Sequence, residues 1–370
     1  MYFLFFIILS TTIVDLMNNT LASNITRARQ QIGMTMEELA NQVSISKQAI
    51  SNYENGFRQP DSTTLLSIAK ALGQNLEYFF SAHRALFKLN AINYREGMSL
   101  SSDQRSIVEQ IASDALSGYM ELEAIAKETK PFENPLQGID PVKTAEDAEK
   151  AAVQLRKKWK LGDGPLHNLV DVLEKRGIRI IKVKFGYTYT HEGLSGWVDN
   201  RKYPVVILND RPQDVCRIRF TLLHELGHLL LVMADDLSLD DVEKYCNAFA
   251  GAVLLPTDIL IAEFGKNRTA ISMPELQRIK QLYGMSVYAI MVRARMAKLT
   301  TYEAYQNWKM SAFEDHEYGY YLGEEEPQRF LQMLYRCLSE RKIGLDKAAQ
   351  LAGPKYSEAD FRDIYYQKLK

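Results

Sequence analysis

A chain of 370 residues, 46% of them hydrophobic and 25% charged, is long enough for two or three domains and lacks the bias of a disordered or fibrous protein. Lys plus Arg (45) nearly equals Asp plus Glu (46), which excludes a polycation, so any affinity for nucleic acid must come from a local surface. Three widely spaced cysteines, Cys216, Cys246 and Cys337, imply no disulfide framework and suit a reducing cytoplasm.

The first residues stand apart. Tyr2 to Val14 is almost wholly apolar and stops at Asp15. It is shorter than the roughly 20 apolar residues a membrane-spanning helix needs. It also lacks the basic start of a signal peptide, because the first positive side chain is Arg27. The expectation is that Met17 is the native start and that residues 1–16 are an apolar leader; an interfacial anchor is the other reading.

From Asn24 to Phe80 short helices alternate with caps and stops. Gly33 ends the first helix, Thr35-Met36-Glu37-Glu38 forms a capping box, Ser46 opens a helix that runs to Asn55, and Gly73 closes a fourth after Pro60-Asp61-Ser62. Leu39, Ala40, Val43, Ile45, Ala49, Ile50 and Tyr53 have the spacing of a buried face. That leaves Ser46, Lys47, Gln48, Ser51 and Asn52 projecting outward, side-chain types that can read base edges. Arg58, with Arg27 or Arg29, suits phosphate contacts. Five basic and five acidic residues balance between Met17 and Phe80, so charge alone does not demand DNA.

Ser81 to Lys130 reads as further helix, and Pro131 to Pro141 as a linker. Beyond it come a charged helix ending near Trp159 and another from Pro165 to Arg176. Three strand-like runs follow, Ile178 to Val183, Gly193 to Asp199 and Tyr203 to Leu208, with Asn200-Arg201-Lys202 as a hairpin connection. The remainder is helical: Gln213 to Met233, Leu239 to Leu255, Pro274 to Tyr283, Ser286 to Lys298, and a tail from Tyr302 broken at His316 to Gly323.

His224-Glu225-Leu226-Gly227-His228 lies inside an apolar helical stretch, and residues four apart share a helix face, so both imidazoles can reach one ion. Zinc is the cation this pair suits, with Glu225 beside it as general base. A catalytic zinc needs a third protein ligand and one open position. Glu243, fifteen positions after His228 on the next helix, is the expected ligand, and Asn247, one turn further, is placed to orient one of the rings. Asp240 and Asp241 compete for the role but put Asn247 out of register. Leu194 to Val198 is the best candidate for an edge strand that binds substrate by strand addition, with Ser195 and Gly196 nearest the site. His191, Tyr187 or Tyr203 could assist at the oxyanion.

Two resemblances sharpen this reading. Arg219 to Leu231, Glu243 to Ala250 and Leu254-Leu255-Pro256 resemble the ImmA/IrrE family of metallopeptidases, from approximately Ala145 to Lys298. The likeness implies a gluzincin-like fold with His224, His228 and Glu243 on zinc, Glu225 as base, and a protein substrate, often a helix-turn-helix repressor. Many relatives have Glu-Ala-Asn where Tyr245-Cys246-Asn247 stands here. Ser46 to Gly56, with Pro60 and Leu65 to Leu72, is similar to the Xre/Cro repressor-like family, which binds operator DNA, usually as dimers. Many members carry Gln where Met36 stands, so that phosphate contact is in question.

The expected architecture is mainly α with a small β-sheet (α+β): a leader (1–16), an all-α helix-turn-helix domain (17–82), a helical connector and linker (83–142), a zinc peptidase domain (143–300) and a helical region (301–370). The expected function is a cytoplasmic DNA-binding regulator that uses Zn2+ to cleave a partner, such as a repressor or toxin encoded nearby, with no membrane role. The rival is a repressor or antitoxin whose zinc is structural or sensory.

Overall fold

The computed structural model describes residues 20–30, 32–74, 76–80, 90–93, 102–185, 192–199, 201–211, 213–311, 319–353, 356 and 358–366. The apolar leader, Tyr187, His191 and His316 lie outside the described residues.

Five short helices form the first unit: α1 (20–30), α2 (Met36–Gln42), α3 (Lys47–Glu54), α4 (Ser62–Ala71) and α5 (Leu76–Phe80). Each start has a local cause. Thr35 and Glu38 bond each other's backbone in a reciprocal capping box, Ser46 accepts from Ala49 N, and Asp61 accepts from Thr64 N. Ser44 takes a positive φ of 56° in the turn between α2 and α3. Leu21, Ile25, Ala28, Leu39, Ile50, Ile68 and Phe79 make a core of their own.

The stretch after this unit departs from the all-helical expectation. Asn90–Asn93 is a strand, β1, and Ser102–Ala126 a long helix, α6. Asn competes with the helix backbone through its side chain and Ile favours extended structure, but four residues are too few to show a period. The strand is fixed by a partner about a hundred positions away.

That partner is β3 (Gly193–Val198). With β2 (Arg179–Val183) and β4 (Tyr203–Asn209) it makes a four-stranded sheet in the order β1-β3-β4-β2, antiparallel except for the parallel β2–β4 pair. Alternation of side chains gives the sheet two buried faces. Leu194, Val198, Val205 and Ile207 pack on Val108, Ile111 and Leu116 of α6. Trp197, Val206, Leu208 and Ile180 join the main core. That core also takes in α7 (Ala145–Trp159), α8 (Leu169–Lys175), α9 (Val215–Leu230), α10 (Leu239–Leu254), α11 (Thr257–Phe264), α12 (Met273–Tyr283), α13 (Val287–Met296) and α14 (Tyr302–Ser311). No single helix among the described residues is long and apolar enough to cross a membrane.

The C-terminal helices α15 (Arg329–Ser339), α16 (Leu345–Ala352) and α17 (Glu358–Tyr366) pack on Tyr119, Leu122 and Ala126 of α6. Ahead of them, Glu325 reaches into the core. Its carboxylate pairs with the fully buried Arg219 of α9 and accepts from Leu169 N (3.0 Å) and Val170 N (2.8 Å) at the start of α8. Arg219 also donates to the carbonyls of Leu166 (2.7 Å), Gly284 (3.1 Å) and Tyr283 (3.2 Å). Every charge of this buried group is thus met, which is the condition for such a pair to be tolerated. It clamps α9 just before its two histidines.

Candidate metal centre

Helices α9 and α10 carry the candidate site, and their close approach is written in one residue. A Cβ on Gly227 would lie 3.2 Å from Cys246 Sγ and 3.3 Å from Cys246 Cα, so α10 presses against α9 where a side chain would hold it off. One residue away from this contact stands His228, and three before it His224. Their rings meet edge to face with centroids 4.8 Å apart, and their Nε2 atoms are 3.1 Å apart. From α10, Glu243 brings Oε2 to 3.2 Å from His224 Nε2 and Oε1 to 3.1 Å from His228 Nε2. All three donors lie within 4.8 Å of one another.

These separations fit a tetrahedral zinc. Bonds of about 2.0–2.1 Å to imidazole nitrogen place neighbouring donors about 3.3–3.4 Å apart along the tetrahedron's edge, close to the 3.1–3.2 Å seen here. The rival carboxylates are spent elsewhere. Asp241 accepts from Ser238 Oγ (2.8 Å) in the cap that starts α10, and Asp240 sits in the same first turn outside the cluster.

Asn247 lies where the spacing placed it, its Oδ1 2.9 Å from His224 Nδ1. An amide oxygen only accepts, so Nδ1 carries the proton and Nε2 turns its lone pair toward the cluster. Cys246 was not singled out by sequence reasoning. Its thiol bonds His228, and burial pushes that thiol up from its ordinary range. The signal was present: Cys246 is three residues after Glu243 on the same helix and faces Gly227.

The cluster's electrostatics couple an imidazole to a carboxylate. Burial alone disfavours charge on His228, but hydrogen bonds to Cys246 and Glu243, with the negative charge nearby, outweigh it and raise the imidazole to about 10. Burial likewise works against the Glu243 carboxylate, yet the two imidazoles beside it hold it well below the usual carboxylate range. A divalent cation bound there would compete with protons for the same ligand atoms.

Glu225 projects beside the cluster, nearly buried, and its Oε2 has no hydrogen-bond partner among the described residues. A buried carboxylate oxygen left open is costly unless a ligand or water meets it. Ser195 is also fully buried with an unmet hydroxyl. The strand that carries it is not at an edge: β1 covers the side of β3 away from β4, so the expected free edge at Ser195 and Gly196 is filled by this chain's own residues. Tyr203 stacks with the Arg179 guanidinium (4.7 Å to the ring centroid) at the start of β4.

In the first unit, Lys47, Gln48 and Arg58 are exposed, and Ser51 and Asn52 half-buried, on and just after α3. Gln48 Nε2 donates to Asn52 Oδ1 (3.1 Å), which holds the two amides together on the outward face. Ser46 spends its hydroxyl on the cap of α3. Met36 is half-buried against the unit's core. Arg29 and Arg27 do not reach outward as expected: Arg29 pairs with Glu54 (2.7 Å) and Arg27 with Asp114 of α6 (2.8 Å).

Comparison with known proteins agrees with this division. Residues 25–79 match the helix-turn-helix family model, and residues 173–295 match the peptidase M78 model, described as IrrE N-terminal-like domain. The chain belongs to the helix-turn-helix family through the first segment and is similar to the M78 family over the second. Its helix-turn-helix part is similar to the HTH-type transcriptional regulator ImmR of Bacillus subtilis, 34% identical over 59 residues, 16% of this chain and 46% of the relative. An uncharacterized HTH-type regulator, YqaE, of the same organism is 33% identical over 57 residues, 15% of this chain and 49% of the relative. A third, y4dJ of Sinorhizobium fredii, is 39% identical over 57 residues, 15% of this chain and 74% of the relative. The chain thus spans about half the length of the first two. A unit matching the helix-turn-helix model is here joined to one matching the M78 model, with the His/His/Glu cluster on helices α9 and α10 inside the second matched region.

Proposed function

We propose that this chain is a DNA-binding regulator whose zinc-dependent endopeptidase cleaves a partner regulatory protein in the cytoplasm. The observation that carries the reading is three donors at the spacing of a tetrahedron's edge, on two helices, beside a buried carboxylate oxygen with no partner. Structural zinc sites close with four protein ligands, whereas three leave a position open. The count favours catalysis over the rival structural site.

Zinc held by His224, His228 and Glu243 would supply Lewis acidity to a water and to the scissile carbonyl. Asn247 fixes the tautomer that presents His224 Nε2, and Cys246 steadies His228. Glu225 takes a proton from the attacking water and hands it to the leaving amine, so one carboxylate serves as base and then acid.

Asn247→Ala is expected to weaken zinc binding by 10- to 100-fold, the usual cost of losing such an orienting partner. Competition with a chromophoric chelator measures it; an unchanged affinity would show that the ring needs no anchor. Cleavage itself is tested by incubating the chain with proteins encoded beside it, with and without chelator. Chelator-sensitive cleavage of one of them at one site is the expected result.

For DNA, the outward face of α3 is the reading surface, with Lys47, Gln48, Ser51 and Asn52 toward the bases, Ser46 at its start and Arg58 toward the backbone. Gln48→Ala should cost about 1–3 kcal/mol against the cognate operator and relax preference at one base pair. A gel-shift series with single-base operator variants reads this out, and a uniform loss across all sequences would assign Gln48 to the phosphates.

A further inference from the structure

The segment lying on the substrate edge of this peptidase belongs to the chain itself. A strand has two hydrogen-bonding edges, and those of β3 are both used. One pairs with β4, Gly193 opposite Leu208 through Val198 opposite Tyr203. The other pairs antiparallel with β1, Asn90 opposite Trp197 and Asn93 opposite Ser195, with an irregularity between the two.

β3 runs along α9. At one end a Cβ on Gly193 would lie 3.1 Å from Thr221 Cγ2, and Thr221 is one turn before Glu225 on the same helical face. At the other end Trp197 packs against Phe132, ring centroids 6.0 Å apart, and nearby Asn134 donates to Leu230 O (3.2 Å) near the end of α9. Ser195 falls between these ends, and it shares a face with Gly193 and Trp197, the face turned to α9. The stretch of β3 that Asn93 pairs with is thus level with Glu225 and the two histidines. A protein substrate that adds a strand to this edge would have to occupy the line β1 now holds.

We propose that β1 is the peptidase's own substrate segment: the chain cuts itself in cis at or beside Asn90–Asn93 and so releases its helix-turn-helix unit from the catalytic core. This rests on the peptidase reading and names its substrate. The step is a hydrolysis and needs only water. The scissile C–N bond breaks, the acyl carbon gains the water oxygen and becomes a carboxylate, and Glu225 delivers the proton that lets the nitrogen leave as an amine. Placement in the same chain makes the segment permanently local, the condition under which attack is effectively unimolecular. Cleavage there would cut the covalent tie between the DNA-reading face of α3 and the sheet. The Arg27–Asp114 ion pair would remain as a contact between the first unit and α6.

The test has one arm that needs no activity. In the metal-free full chain, amide exchange of residues 193–198 is compared with that of Ala91→Pro/Ile92→Pro, which removes a backbone donor of each parity from β1. Slow exchange in the parent and at least tenfold faster exchange in the variant are expected; equal exchange overturns the proposal, because β1 would then not hold the edge. In the second arm the full chain is loaded with zinc and followed by intact mass, beside Glu225→Gln, the proline variant, and a synthetic peptide of residues 86–100 offered in trans. Expected is a cut in the connector whose rate does not depend on protein concentration, is lost in Glu225→Gln and falls at least tenfold in the proline variant. A chain that stays whole while the peptide or a neighbouring protein is cut overturns self-cleavage and leaves the peptidase intact. A chain, peptide and neighbour all left whole overturns both.

Discussion

Glu225→Gln is expected to hold zinc as tightly as the parent and to lose cleavage by about 10²–10⁴-fold, the range that proton transfer by a positioned side chain contributes. The two results must come together, because Glu225 stands beside the His/His/Glu cluster without belonging to it. Gln keeps the shape and removes only the ability to take a proton. The carboxylate oxygen without a partner is the structural sign that this group faces something not made of protein. Metal content and single-turnover cleavage on the same preparation give the answer. Loss of zinc would make Glu225 a ligand, and undiminished cleavage would refute its role as base.

Arg219→Met is expected to destabilise the peptidase unit by about 3–5 kcal/mol, the cost of leaving one member of a buried ion pair without its partner. Arg219 and Glu325 are both fully buried at the side chain, and the guanidinium also serves three backbone carbonyls. The variant strands the Glu325 carboxylate with only the two amides of α8 to solvate it. Denaturant unfolding followed by the signal of the buried tryptophans checks the size. Adding Glu325→Gln to Arg219→Met should recover part of the loss, since the stranded charge is then gone. A cost under about 1 kcal/mol would mean water reaches the pair, as in a surface salt bridge. Because Arg219 lies five positions before His224, the same variant should also loosen zinc.

The His/His/Glu cluster was legible because it is local. Two histidines one turn apart and a carboxylate on the next helix need only helical geometry and a short loop, and Asn247 follows from the same period. The outward face of α3 was legible for the same reason: its caps, its buried stripe and its exposed residues all lie within twenty positions. What escaped depends on distant partners. Asn90–Asn93 carries no period of its own and becomes a strand because β3 offers an edge. Arg27 and Arg29 look like free cations until Asp114 and Glu54 are brought to them. Glu325 is one acid in a run of three, and nothing in that run announces that it will be buried against an arginine a hundred positions earlier. The role of Cys246 follows from the helix contact at Gly227, which is a matter of packing between helices and not of pattern along either.

The most direct test of the metal centre is a zinc titration of the metal-stripped full chain beside His224→Ala/His228→Ala, read by elemental mass spectrometry after dialysis. The parent should retain one zinc per chain and release protons on binding, while the double variant should retain none. A parent that keeps no zinc, or a double variant that keeps a full equivalent, would show that these three side chains meet for some purpose other than holding a cation.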